Sequence, residues 1–328
     1  MRLPLRFSSA CMVLLAAALL PMVTGDYYTG LIVKIMIYAL FALSLQLLAG
    51  AAGLVSLGHA AFFGIAAYIS ALLSPESGAA NLLPLAACAM AGALAYALIT
   101  GVLVLRTKGV YFIMATLAFA QMAYYVFHDT GAGGGSDGIY LYFRPELRVG
   151  GHVLLNIDKP YAFYLFTLAC LALTWGFLAM LMRSRFGAAL TGIRVNEQRM
   201  LAAGYTTFHY KLAAYAIAGT LAGLAGMLYA FKDGFVNPEI MAWEQSGLVL
   251  LMVILGGSGR IWGAILGAVA LTLLQELFQS QALFGDFAAH WHLSFGLGII
   301  VLVALLPKGL AGLPEQWRDW RASLRQPL

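Results

Sequence analysis

The chain has 328 residues, 62% of them hydrophobic and 10% charged, with a formal net charge of +5. Soluble domains run near 25% charged, so water cannot solvate so apolar a surface. Lipid can, provided each spanning segment satisfies its own backbone hydrogen bonds as a helix. The basic balance reports topology rather than nucleic-acid binding. Cys11, Cys88 and Cys170 lie in apolar runs without metal-ligand spacing and read as small packing residues.

In chain order, Arg2 and Arg6 precede an apolar run to Val23, the outline of a signal peptide. Met22-Val23-Thr24-Gly25 lacks a small-residue cleavage ending, so residues 1–25 are expected to form an uncleaved first span at about 9–25. Nine further apolar stretches follow, at 30–49, 58–73, 82–105, 110–127, 161–182, 211–231, 245–256, 261–279 and 293–306. The stretches at 58–73 and 245–256 are shorter than the roughly 20 residues of a perpendicular span. The second of them could be re-entrant. The expected fold is an all-α polytopic bundle of about ten spans. One transmembrane domain covers 26–312, with polar segments at 128–160 and 183–210 and a tail at 313–328.

Charge orients this layout. With the N-terminus inside, the inner segments hold Arg2, Arg6, Arg106, Lys108, Arg183, Arg185, Arg194, Arg199, Lys211, Arg260, Lys308, Arg318, Arg321 and Arg325, which is 14 of the 19 basic residues. Of the 14 acidic residues only Glu197, Glu315 and Asp319 fall there. The Lys and Arg asymmetry predicts both termini on the cytoplasmic side, with 128–160 outside.

Enzyme signatures are missing. There is no G-x-x-x-x-G-K-[ST] to cradle phosphates, no H-E-x-x-H or Cys–His metal pattern, and no G-x-S-x-G elbow. The segment from Arg194 to Gly204 reads as a short amphipathic helix. Asn196 can cap its start, Glu197 complements its positive end, and Gly204 suits a left-handed stop. Met200, Leu201, Ala202 and Ala203 oppose Glu197, Gln198 and Arg199. Such a helix either docks in a groove of a soluble partner or lies among lipid headgroups.

Gly50 to Gly64 breaks the second stretch from the third with glycines and polar residues, which invites non-helical backbone. Ser56, Gly58 and His59 there either line a solute path or pack helices. Thr116 and Gln121, mid-span, offer the same two readings. Glu276 sits near the outer end of its span and reads as snorkelling to the headgroups. Gly134, Gly135, Ser136, Asp137 and Gly138 form an outer loop whose amides could bind a carboxylate, though a plain turn explains it as well.

Four motifs in one order carry a resemblance: Gly53-Leu-Val-Ser-Leu-Gly-His-Ala-Ala-Phe-Phe-Gly64, Gly134-Gly-Ser-Asp-Gly138, the Arg183–Gly204 loop, and Leu255-Gly-Gly-Ser-Gly-Arg-Ile-Trp-Gly263. Together, over about residues 30–312, the chain resembles the LivM-type permeases of branched-chain amino-acid ABC importers, a group that extends to urea, amide and aromatic-acid carriers. The resemblance implies an inner-membrane transport subunit rather than an enzyme. It implies a coupling helix around Asn196–Gly204 that docks on an ATPase, a second similar permease, two ATPases and a periplasmic binding protein. ATP would be used by the partners, with no cofactor bound by this chain. In the family this loop often carries a more acidic E-A-A-like stretch, whereas Met200-Leu-Ala-Ala203 is more apolar. The rival reading is a stand-alone transporter or channel, which would want paired ionisable groups deep in the bundle. Lys34 and Glu276 both lie near its outer boundary instead.

Overall fold

Lipid-facing segments must close their own hydrogen bonds, so helices dominate. The computed structural model describes residues 17–22, 25–149, 152–257, 259–285, 290–306 and 309–313. Most of the expected 9–25 span, Ser258 and nearly all of the tail lie outside the described residues. The helices are α1 (Asp26–Gln46), α2 (His59–Leu72), α3 (Leu82–Val104), α4 (Val110–Asp129), α5 (Pro160–Arg183), α6 (Arg185–Val195), α7 (Glu197–Ala202), α8 (Thr207–Asp233), α9 (Trp243–Gly256), α10 (Ile261–Gln279), α11 (Gln281–Phe284) and α12 (Trp291–Leu305).

Seven of these are long and apolar enough to cross a membrane: α1 with the π-helical turn Leu47–Ala52 that continues it, α3, α4, α5, α8, α10, and α12 with the segment after it to Gly312. Two more, α2 and α9, are apolar but only 14 residues each. At 1.5 Å per residue each spans about 21 Å, less than the hydrocarbon thickness. These are the stretches expected at 58–73 and 245–256; non-helical backbone leads into α2, and a 3-10 turn (Pro238–Met241) with the extended Ala242 leads into α9.

The core sits around α1 and α8, the most buried of the spanning helices. Lipid removes the usual hydrophobic drive between helices, so close packing through small residues must hold them. Helix α8 does this along Gly219, Gly223 and Gly226. A Cβ at Gly219 would lie 2.7 Å from the Ala97 methyl of α3, and one at Gly226 would lie 1.8 Å from the Phe63 carbonyl oxygen of α2. Helices α9 and α10 meet in the same way, with Gly267 against the Met252 carbonyl oxygen at 1.8 Å.

The 128–160 segment is more structured than the loop expected from sequence. Strand β1 (Ile139–Tyr140) pairs antiparallel with β4 (Phe235–Val236), just after α8. Strands β2 (Glu146–Val149) and β3 (His152–Asn156) form a second antiparallel ribbon. Arg144 ties the segment down: its guanidinium stacks over Phe163 at 5.6 Å and donates to the Lys232 carbonyl at 3.4 Å. At the same end of the bundle Tyr27 donates to Glu276 Oε1, so Glu276 has a protein partner rather than only the headgroup region.

Candidate functional site

Two features stand out: the α6–α7 loop, and a polar junction inside the bundle. In the loop, the Ser184 hydroxyl caps α6 by accepting from the Gly187 N–H at 3.5 Å. Asn196 then ends α6 in extended conformation (φ −157°) and caps α7, its side chain accepting from the Arg199 N–H at 3.0 Å. The Arg194–Gly204 stretch is therefore split by its own capping residue. Gly204 takes φ +85°, and the Tyr205 N–H closes back on the Met200 carbonyl at 3.0 Å, a left-handed stop of the Schellman type.

Met200 turns inward, over Gly192, where a Cβ would meet its sulfur at 2.8 Å. Leu201, Ala202, Ala203 and Gly204 are exposed, as is Val195 at 79%. The loop thus presents an uncovered apolar surface on a rigid base.

Glu197 supplies much of that base. Its Oε1 accepts from Lys211 Nζ at 2.6 Å and from the Thr207 hydroxyl at 3.1 Å, and its Oε2 faces Lys108 Nζ at 3.4 Å. Partial burial pushes the carboxyl up. The Lys211 ammonium, the Thr207 hydroxyl and Lys108 outweigh that and hold it below the ordinary glutamate range. One carboxylate therefore clamps α7 to α8 and to the α3–α4 connection.

The polar junction begins where the π turn stops at Gly53 (φ +70°), with the Leu54 N–H closing on the Leu48 carbonyl at 3.0 Å. Residues 54–58 then run without helix against α4. The Leu57 N–H donates to the Thr116 hydroxyl at 3.2 Å, and the Gly58 N–H donates to the Ser56 hydroxyl at 3.2 Å. A Cβ at Gly58 would sit 2.2 Å from the Thr116 carbonyl oxygen, so only glycine permits this approach.

His59 opens α2, fully buried, with Nε2 2.8 Å from Ser44 Oγ and Phe41 stacked on its ring at 5.5 Å. Ser44 spends its own proton on the Phe41 carbonyl at 2.7 Å, so the imidazole proton belongs on Nε2. The Nδ1 acceptor has no partner among the described residues. The Ala60 N–H donates to Ser246 Oγ of α9 at 2.9 Å, so the two short helices meet through their first turns.

Of the sequence candidates, Ser56, Gly58, His59 and Thr116 come together in this junction and are buried within the chain. Gln121 lies apart, half-buried beside the exposed stripe of α4 formed by Tyr111, Met114, Ala118, Met122 and Tyr125. Gly134 to Gly138 pack on the strand end. A Cβ at Gly138 would lie 2.4 Å from the Val236 carbonyl oxygen, while Ser136 and Asp137 stay exposed. Sequence reasoning missed Ser44, Ser246, Lys108, Lys211 and Arg194. Ser44 carried a signal, being a hydroxyl inside the apolar run Phe41–Leu45. Among the described residues no group of His, Cys, Asp and Glu could hold a metal ion.

The family model of branched-chain amino acid transport system permease components matches residues 27–304. The high-affinity branched-chain amino acid transport system permease protein LivM of Salmonella typhimurium is 31% identical over 296 residues, covering 84% of this chain and 68% of that protein. LivM of Escherichia coli matches to the same extent. The autoinducer 2 import system permease protein LsrC of Photorhabdus laumondii is 28% identical over 184 residues, 53% of this chain and 51% of that protein. No solved structure matches the chain significantly. Matched across nearly all its spanning helices, the chain belongs to the branched-chain amino acid transport permease family, as a multi-pass inner-membrane subunit of ABC importers and not an enzyme.

Proposed function

We propose that this chain forms half of the membrane pathway of an importer for branched-chain amino acids, paired with a second, homologous permease. Permeases of this family work with ATPase and binding-protein partners. In this reading there are two cytoplasmic ATPases and one periplasmic binding protein, and ATP is consumed by the partners alone. The substrate rests on the branched-chain amino acid transport role of the LivM relatives. The layout of about ten spans rests on the count of apolar stretches, and its orientation, with both termini cytoplasmic, on the Lys and Arg asymmetry.

The observation that carries the mechanism is the uncovered apolar surface of α7 on a clamped, charged base. A chain with no nucleotide motif responds to ATP only through an interface that differs between two states. Leu201, Ala202, Ala203 and Gly204 make that interface, on the base that Asn196, Glu197 and Met200 hold in place. The solute crosses between the two permeases, along the α4 face that carries Gln121. Ser56, Gly58, His59 and Thr116 shape that face from behind, and Gly134–Gly138 meets the binding protein.

The test is uptake of radiolabelled leucine into proteoliposomes that hold the assembled importer. Uptake should require ATP and the binding protein, and valine and isoleucine should compete while urea does not. Leucine uptake without ATPases would move the chain to the stand-alone reading. ATP-dependent uptake of another solute alone would overturn the substrate.

A further inference from the structure

The π turn that ends α1 is gripped from the side by α6. Arg194 Nη1 donates to the Gly50 carbonyl, inside that turn. The aliphatic stem of Arg194 lies along Gly53, where an added Cβ would come within 3.0 Å of its Cγ. Terminal carbonyls of a helix lack intrahelical donors and carry the negative end of its dipole, so a guanidinium is well suited to this place.

The grip lies where α6 packs on the π turn, between the α7 cap and the 54–58 segment. Arg194 is the penultimate residue of α6, two positions before the Asn196 cap of α7. Gly53 precedes the non-helical 54–58 segment that leads to Thr116, His59 and Ser246. π turns differ from α turns by one residue of register and recur at functional sites. Beside this one lies a cavity of about 150 Å³ lined by Leu43, Gln46, Ala51, Leu178, Thr191 and Ile261, which gives the turn room to shift.

We propose that Arg194 is a positioning residue that transmits displacement of the α6–α7 loop to the π turn, and through it to the 54–58 segment and the start of α2. The proposal rests on the reading of α7 as the ATPase-docking helix.

The experiment is hydrogen–deuterium exchange on the assembled importer, with and without trapping by ATP and vanadate. It needs no solute. In the native complex, trapping should change exchange in peptides covering both 197–206 and 47–60, by about tenfold for the most affected amides. Arg194→Met keeps the stem and removes the cation. It should retain its ATPases and the response at 197–206, and lose the response at 47–60. Arg194→Lys keeps a cationic donor and should restore the response at 47–60. A full response at 47–60 in Arg194→Met overturns the proposal. Loss of the ATPases from Arg194→Met also overturns it, by assigning Arg194 to the docking surface, and leaves the coupling helix standing. No ATPase on the native chain removes the coupling-helix reading, and this proposal with it.

Discussion

Ala203→Asp separates docking of α7 on an ATPase from a helix that merely rests among headgroups. Ala203 is the C-cap of α7 and is exposed, so the new carboxylate stays hydrated in the free permease. Surface changes of this kind shift stability by no more than about 0.5 kcal/mol. On docking, the same carboxylate would be stripped of water beside Leu201, Ala202 and Gly204, with Arg199, one turn earlier, the sole cation on α7. An unpaired buried charge costs about 3–5 kcal/mol. At 1.4 kcal/mol per decade, ATPase affinity should fall roughly a hundred- to several-thousand-fold. The assay is co-elution of the ATPases in detergent, alongside thermal unfolding of the permease alone. Ala203→Ser, which adds no charge, should behave as the native chain. Unfolding should be unchanged in both variants. If Ala203→Asp keeps a full complement of ATPase and normal uptake, α7 is not the coupling element.

Glu197→Gln should loosen the clamp on Lys211 and Lys108, costing about 1 kcal/mol near pH 7. Because the folded carboxyl titrates below its ordinary 4.5, its contribution is full above that value and is lost as pH falls toward the lower folded one. The Tm gap between native and variant should therefore hold above pH 4.5 and narrow as the pH falls below it; a constant gap would show that the charge is not what stabilises. Gly226→Val should destabilise by about 3 kcal/mol or more, since even a Cβ would meet the Phe63 carbonyl oxygen at 1.8 Å. Gly176→Val, with nothing within 4 Å of its Cβ, is the control, and equal melting of the two would contradict the packing described. His59→Leu removes the hydrogen bond to Ser44, worth about 1 kcal/mol. It should insert and hold its ATPases while uptake falls, and unaltered uptake would leave His59 a packing residue. Cysteines placed at Ser136 and Ser184, both exposed, should label from opposite sides of the membrane, and labelling of Ser184 from outside intact cells would overturn the orientation.

Much of this architecture was legible in the sequence because its causes are local. Apolar runs announced the spanning helices, since a backbone in lipid must close its hydrogen bonds within its own segment. Asn196 and Gly204 marked the two ends of α7, because a cap bonds only within a turn or so of itself and a left-handed stop is a property of one residue. The two short stretches were visible as too short to span, because length is counted along the chain. What those short helices do was not visible. His59 finds Ser44 at a separation of 15 residues, Leu57 finds Thr116 at 59, Arg194 finds Gly50 at 144, and Ala60 finds Ser246 at 186. Periodicity and composition carry no information at such distances. The tertiary structure alone decided that four candidate path residues close a buried junction while Gln121 keeps to a partly open face. It also decided that a lysine on α8 and another before α4 converge on Glu197. Which faces pack is settled by which glycines let backbones approach, and that complementarity exists only once both helices are in place.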